Sequence, residues 1–211
     1  MTCVIAYKDK DRVYVGADSL SSSTQTMTKH PRKDAKVFRL KDRDDIVIGF
    51  CGSYRMGQLL KSTCGLLQYQ KESEPDEDGK TELVVEEVEE LDYDAMLEVF
   101  IPNLIALFKD GDFAVQTDVG LVGGDFIVAT KDRFYYVLAD FSVAELTEDY
   151  LAIGCGGSFA KGALDILSKS KKSIPTKILE ALRVSEKNAL AVENPYIILN
   201  TFNTEVEVFD K

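Results

Sequence analysis

Thr2 offers a nucleophilic hydroxyl at the very start of the chain, directly after Met1. Methionine is normally removed when a residue this small follows it, which would place a hydroxyl and a free α-amine on one residue. Such an amine has a reference pKa of about 7.7–8.0 and can act as the base for the hydroxyl. His30, in a polar segment, is the one histidine of the sequence. A multi-histidine metal centre is therefore excluded, and a Ser-His or Cys-His pair would depend on His30.

Asp18 and Lys36 stand at the ends of two predicted strands, in VYVGADS and DAKVFRL. In an antiparallel meander these strand ends can meet at one edge, where the strand after Thr2 also begins. A lysine beside the threonine would keep the amine neutral and lower the pKa of the hydroxyl, and a carboxylate would orient that lysine. The alternative is that Asp18 and Lys36 form an ordinary exposed pair at strand ends.

Blocks of strands alternate with pairs of helices along the chain. Short β-branched and aromatic runs around charged turns predict hairpins that pair 3–7 with 13–16 and 36–40 with 46–50, and the polar segment 19–34 between them predicts a loop. Helical periodicity covers 54–69, 95–108, 159–167 and 176–190, with Pro102 as a kink or late start. Further strands are predicted at 125–129, 134–138, 151–154, 196–201 and 205–209. This order predicts an α+β layered fold.

Residues 71–94 hold twelve acids and two lysines, which breaks the helical pattern. This composition is typical of a solvated loop or exposed insertion, with a charged regulatory or docking arm as the alternative. The length of 211 residues predicts a single domain over 1–211 that carries this acidic segment as an insertion.

The overall charge argues against two classes of partner. Lysine and arginine number 25 against 36 acids, a formal net charge of −11, whereas nucleic acids and anionic membranes need clustered basic residues. The four cysteines have no CxxC spacing, which favours free thiols in a reducing compartment. No signal-like start and no apolar run of about 18 residues is present, so we expect a soluble cytoplasmic protein.

An ordered set of motifs resembles the proteasome β-type N-terminal-nucleophile hydrolases, including the bacterial proteasome-like peptidases. The Thr-led first strand is followed by VYVGADS, AKVFRL, the glycine-rich IGFCGS, and YLAIGCGGSFAKGALDIL. These motifs extend over nearly the whole chain in the order that the family has. The resemblance implies a four-layer αββα sandwich of two antiparallel sheets flanked by helices.

The resemblance also implies roles for individual residues. Thr2 would be the nucleophile and supply the base, Lys36 would tune it electrostatically, and Asp18 would hold Lys36. A backbone N–H in the turn around Gly52 would stabilise the oxyanion, and Gly52 itself is our choice of donor. Ser19 would either contact the surroundings of the nucleophile or simply cap a turn.

Three positions depart from the pattern of the family. Cys155 stands where the second glycine-rich turn usually has serine, and is either a spectator thiol or a weak hydrogen-bonding substitute. Asn188 and Ala191 stand where many members have an aspartate and a serine that support the threonine. These changes put the strength of activation in question.

The favoured hypothesis is a threonine peptidase that cleaves peptides or unfolded proteins through an acyl-enzyme on Thr2. The resemblance further implies a homo-oligomeric ring and, for its closest members, an ATP-dependent unfoldase partner. We expect no cofactor, no metal, and neither nucleic acid nor membrane as a partner. Two alternatives stay open: a non-catalytic structural or assembly subunit, phage-associated ones included, and an amidase that acts on small molecules.

Overall fold

The computed structural model describes residues 2–23, 28–31, 33–75, 80–113, 115–117 and 120–210, and Met1 lies outside them. The strands, in chain order, are β1 Val4–Asp9, β2 Arg12–Ala17, β3 Leu20–Ser23, β4 Thr28–Pro31, β5 Val37–Leu40, β6 Arg43–Phe50, β7 Gln68–Glu72, β8 Leu83–Glu87, β9 Val115–Thr117, β10 Gly120–Val122, β11 Phe126–Ala129, β12 Phe134–Val137, β13 Val143–Glu145, β14 Tyr150–Ile153, β15 Tyr196–Asn200 and β16 Glu207–Phe209. The helices are α1 Tyr54–Ser62, α2 Tyr93–Ala95, α3 Ile101–Asp110, α4 Gly157–Leu167 and α5 Ile174–Asn188, and a π-helical turn, Met96–Phe100, joins α2 to α3.

Two five-stranded sheets form the centre of the molecule. The first has the order β14-β1-β2-β15-β16, and the second has the order β13-β12-β11-β6-β5. Neighbouring strands in both sheets are antiparallel. The predicted hairpins β1–β2 and β5–β6 are confirmed, because short β-branched and aromatic runs on either side of a charged turn specify both strands.

The alternation of side chains along the strands explains why the sheets are stacked and covered. In β1, Ile5 and Tyr7 pack in a cluster with residues of α4 and α5, whereas Val4 and Ala6 pack in a second cluster with residues of the other sheet. In β6, Ile48 belongs to a third cluster that includes residues of α1 and α3. These three apolar layers separate helices, sheet, sheet and helices. The predicted α+β fold, a four-layer αββα sandwich, is therefore confirmed.

Several segments differ from the sequence predictions. The polar segment 19–34 contains the short paired strands β3 and β4 instead of a continuous loop, and 24–27 and 32 lie outside the described residues. Polar strands without alternation give no period-two signal, which is why the pattern missed them. Helix α1 ends at Ser62, before the predicted end at 69, and Gly65 follows with φ of +80°. The strands β9, β10 and β13, of three residues each, are also absent from the sequence predictions.

The acidic segment 71–94 also contains more regular structure than a loop. Strands β7 and β8 pair antiparallel as a separate two-stranded sheet, and α2 begins at Tyr93. Nearly every residue of this hairpin is exposed, including Leu83 and Val85. Acidic residues dominate the composition of this segment, so composition alone does not indicate the β-branched run of β8.

Helix starts follow the sequence rules closely. The side chain of Ser173 accepts a hydrogen bond from the backbone N–H of Thr176 and caps α5. Pro102 lies in the first turn of α3, directly after the π-helical turn, where its missing N–H disturbs the regular ladder. Among the described residues, no helix has both the length and the apolarity that crossing a membrane requires.

Candidate active site

Asp18 and Lys36 form a fully buried ion pair between the two sheets. Asp18 follows β2 of the first sheet, and Lys36 precedes β5 of the second sheet. The Lys36 Nζ lies 2.9 Å from Asp18 Oδ2, and each residue is only 1% exposed. The alternative of an ordinary exposed pair at strand ends is therefore wrong. Stacking of the sheets buries both strand ends, so the pair is part of the interior.

The Asp18 carboxylate also binds the backbone next to Thr2. The N–H of Cys3 donates to Asp18 Oδ1 at 2.8 Å, and the N–H of Leu20 donates to Asp18 Oδ2 at 3.0 Å. Three donors, counting Lys36 Nζ, therefore surround one buried carboxylate. The strand that begins after Thr2 is thus joined through Asp18 to Lys36, and Thr2 itself is 2% exposed.

Burial changes the acid–base properties of the pair. Desolvation lowers the pKa of Lys36 from its ordinary value, and the adjacent Asp18 opposes that change. Desolvation also raises the pKa of Asp18, opposed first by Lys36 and then by the two backbone N–H groups. The three donors around Asp18 favour the charged carboxylate, and they oppose the effect of burial in this region of low dielectric.

The turn between β14 and α4 holds the carbonyl group of Thr2. The N–H of Gly156 donates to Thr2 O at 3.1 Å, and Cys155 Sγ lies 3.5 Å from the same oxygen. Gly154 has φ of +88°, and a Cβ at this position would lie 2.3 Å from Thr2 O. A side chain at residue 154 would therefore displace Thr2, so the glycine is required by both backbone conformation and space.

Gly52 lies in the exposed turn that follows β6. Its φ is +86°, and a Cβ built there would meet no atom within 4 Å. The neighbouring Cys51 approaches the turn that holds Thr2, since its Cβ would be 3.5 Å from a Cβ on Gly154. The two glycine-rich turns of the sequence are therefore adjacent in space. This places the backbone around Gly52 on the same side of the molecule as Thr2.

Ser19 is 1% exposed, and its backbone N–H donates to Glu193 O at 3.3 Å. Within the described part of the chain, its hydroxyl oxygen has no hydrogen-bond partner. Asn188 ends α5 on the surface, where its Nδ2 donates to Val184 O at 2.7 Å on its own helix. Ala191 is buried. His30 lies exposed in β4.

Ser185 is a site residue that the sequence reading missed. It is completely buried on α5, and its Oγ contacts both Gly156 O at 2.9 Å and Cys3 Sγ at 3.6 Å. Its signal was a single polar residue in the apolar stripe of Ile178 and Leu182. One serine in such a stripe is too common to single out without the structure.

No metal-binding cluster is found among the described residues, where no three His, Cys, Asp or Glu side chains lie in a suitable group. The arrangement instead offers a threonine at the start of a strand, a buried ion pair beside it, and two glycine-rich turns. Such a set can activate a hydroxyl by charge and stabilise a developing oxyanion with backbone N–H groups.

The fold is that of the proteasome-type N-terminal-nucleophile hydrolases, which confirms the resemblance seen in the motifs. BPH from Thiobacillus denitrificans superposes with a TM-score of 0.67 at 17% identity, over 95% of this chain and 97% of that one. Another structure of it, in complex with epoxomicin, gives a TM-score of 0.66 at 14% identity, over 94% and 97%.

Two further proteins have the same fold. HslV from Trypanosoma brucei gives a TM-score of 0.59 at 17% identity, over 94% of this chain and 98% of that one. A Gly-1 mutant of Anbu from Hyphomicrobium sp. strain MC1 gives a TM-score of 0.65 at 14% identity, over 99% and 88%. No family model matches the sequence, and no curated protein is significantly similar to it. The likeness therefore defines the fold.

Proposed function

We propose that this chain is a proteasome-like threonine peptidase that hydrolyses peptide bonds through an acyl-enzyme on Thr2, after removal of Met1. The observation that carries the proposal is the buried Lys36–Asp18 pair, whose carboxylate binds the backbone N–H next to Thr2. A buried cation at this place favours the anionic form of a nearby hydroxyl and the neutral form of a nearby amine.

The reaction follows from these groups. The α-amine of Thr2 takes the hydroxyl proton as Oγ1 attacks the substrate carbonyl carbon. The oxygen of that carbonyl becomes an oxyanion, for which the N–H of Gly52 is our proposed donor. Collapse breaks the C–N bond, and the ammonium returns its proton to the leaving amine. Water, deprotonated by the same amine, then attacks the ester on Thr2 and releases the acid.

The remaining site residues support this scheme by position. Gly154 and Gly156 keep the Thr2 carbonyl fixed, and Cys155 adds a weak thiol donor to the same oxygen where serine is usual. The proposal also includes one domain over 1–211 with the β7–β8 hairpin as an exposed insertion. We further propose that the chain forms a cytoplasmic homo-oligomeric ring. An ATP-dependent unfoldase supplies this ring with unfolded chains.

Epoxomicin provides the direct test, because it reacts with a threonine that has both a free amine and a hydroxyl, and its complex with a protein of this fold exists. We expect one equivalent to add to Thr2, seen by intact mass and peptide mapping. Thr2→Ala, with an unchanged circular dichroism spectrum, should remain unlabelled and should not cleave peptides. Complete retention of Met1 in the native protein, or cleavage that persists in Thr2→Ala, would overturn the proposal.

A second candidate is a non-catalytic proteasome-like subunit with a structural or assembly role. Two positions favour this candidate. The side chain of Asn188 donates to its own helix, and Ala191 is buried and offers no hydroxyl. The two candidates differ in one result. A chain from which Met1 has been removed, but which epoxomicin does not label, would be a scaffold with the hydrolase fold and without its activity.

A further inference from the structure

Ser185 connects α5 to the turn that holds Thr2, although its position within the helix would allow a purely local hydrogen bond. Its Oγ lies 3.1 Å from Ala181 O, one turn back, and closer, at 2.9 Å, to Gly156 O in the turn before α4. A serine that only filled its helix position would be satisfied by the first of these contacts. The second contact joins two separate elements.

Cys3 completes a closed chain of hydrogen bonds around the nucleophile. Its Sγ lies 3.6 Å from Ser185 Oγ, so the thiol donates to the hydroxyl oxygen while the hydroxyl donates to Gly156 O. Gly156 in turn donates its N–H to Thr2 O at 3.1 Å. Because Cys3 follows Thr2 in the chain, the links return to their starting point.

The thiol keeps its proton in this environment. Cys3 is 0% exposed, and burial raises its pKa to about 12, so it remains a donor throughout the neutral range. Cys3 belongs to the apolar cluster that packs α4 and α5 on the first sheet, and Ser185, Gly156 and Thr2 are buried as well. In such surroundings an unpaired carbonyl is unfavourable, so the set of bonds holds together as a unit.

We propose that Ser185 is a positioning residue that, through Gly156 and Cys3, fixes the backbone of Thr2 against the turn between β14 and α4. The expected effect on reactivity rests on the proposed function. The hydrogen bonds that join Ser185, Cys3 and Gly156 to Thr2, which we call the clamp, do not depend on activity. The hydrogen bonds of Ser185 reach Ala181, Gly156 and Cys3, and we propose that it acts on Thr2 through the last two. Its contribution is to hold the nucleophile where a displacement of about 1 Å would cost about 100-fold in rate.

The test compares Ser185→Ala with a matched control, Thr201→Val. Thr201 is another buried hydroxyl that joins separate elements, since it accepts from the N–H of Val13 at 3.0 Å and donates to Lys131 O at 3.2 Å. We expect Ser185→Ala to slow epoxomicin labelling of Thr2 by about 10- to 100-fold, and to lower kcat without raising KM. Thr201→Val should leave both unchanged.

Amide hydrogen exchange at Gly156 gives a second readout that does not require activity. Loss of the Ser185 hydroxyl should speed exchange of the Gly156 N–H by at least about 10-fold. Gly156 O would lose the hydrogen bond from Ser185, so the residue would be held less firmly in the turn. Thr201→Val should not affect it. If the wild-type protein is never labelled while Gly156 exchange responds to Ser185→Ala, the proposed function fails and the clamp stands.

Variants at Cys3 test whether the bonds act as one unit. Cys3→Ser keeps a donor and should preserve labelling, whereas Cys3→Ala should slow it in the wild-type background and have little effect beside Ser185→Ala. Additive effects of Cys3→Ala and Ser185→Ala would overturn the closed chain. If Ser185→Ala does not fold, the exchange of the Gly156 N–H is compared between Cys3→Ala and Cys3→Ser instead. Unchanged exchange in Cys3→Ala would then overturn the proposal.

Discussion

At the scale of single residues, the ion pair between Lys36 and Asp18 is held together by its surroundings as much as by its charges. Both side chains are removed from water, so either charge alone would be costly, whereas together they also satisfy the N–H groups of Cys3 and Leu20. The pair therefore couples stability of the fold to integrity of the site.

Replacing Lys36 by methionine should lower the free energy of unfolding at pH 7 by about 3–5 kcal/mol, because it leaves a buried carboxylate without its cation. Asp18→Asn combined with Lys36→Met should recover much of this loss. Lys161→Met, which removes an exposed partner of Glu148, is the control and should change stability by less than about 0.5 kcal/mol. Urea denaturation measures all four proteins, and a double variant less stable than Lys36→Met would contradict the prediction.

The cysteines should differ sharply in reactivity. Thiolates are the reactive form, and Cys64 and Cys155 are exposed, whereas burial raises the pKa of Cys51 to about 11 and that of Cys3 to about 12. At pH 8, iodoacetamide should modify the two exposed thiols first and leave Cys3 intact, as peptide mass mapping would show.

Modification of Cys155 should also prevent labelling of Thr2 by epoxomicin, because its sulfur lies beside the Thr2 carbonyl. The Cys155→Ser variant should retain labelling after the same treatment, whereas Cys64→Ser should not. Labelling that survives full modification of Cys155 would contradict this interpretation.

At the scale of elements, the two glycine-rich turns make different demands. Both Gly154 and Gly52 have positive φ, yet only the first lies against another part of the chain, the Thr2 carbonyl. The turn after β14 is thus specified by contact, and the turn after β6 by conformation alone.

Gly154→Ala should abolish labelling of Thr2 and destabilise the protein by more than Gly52→Ala, whose cost is the strain of about 1–2 kcal/mol of a left-handed alanine. Gly162→Ala is the control within a neighbouring element. Gly162 lies inside α4 with open space around it, so alanine should stabilise the protein by about 0.5–1 kcal/mol. Thermal unfolding together with epoxomicin labelling distinguishes the three, and full labelling of Gly154→Ala would refute the role of this turn.

The elements also show how far the sequence alone leads. Strands β1, β2, β5 and β6 were predictable because each is a short β-branched or aromatic run beside a charged turn, and Asp18 and Lys36 could be placed at their ends. The polar strands β3 and β4 gave no such signal. The contact of Ser185 with Gly156 could not be predicted, since it depends on how α5 packs over the turn rather than on any local pattern.

At the scale of the whole molecule, alkaline pH should weaken the fold through groups that stay protonated inside it. The pKa of Cys3 is raised from 9.0 to about 12 on folding, so the folded state keeps a proton that the unfolded state loses. Stability from this group is present below pH 9 and falls as the pH rises toward 12, by about 1.4 kcal/mol per pH unit.

Urea midpoints at pH 8, 9 and 10 would measure this decline. Cys3→Ala should have a shallower decline than the wild-type protein above pH 9, although it is less stable at pH 8. Cys64→Ala, at an exposed thiol, should retain the wild-type slope. Equal slopes for Cys3→Ala and the wild-type protein would exclude Cys3 as the source.

The lengths of the outer strands have a consequence for solubility. Both sheets end in short strands, β14 and β16 in one and β5 and β13 in the other, with three or four residues each. Strands this short give another chain little backbone on which to build a cross-β stack. The longer hairpin of β7 and β8 has exposed edges as well, and its glutamates repel an identical copy. Neutralising these glutamates should therefore lower the concentration at which the protein begins to aggregate.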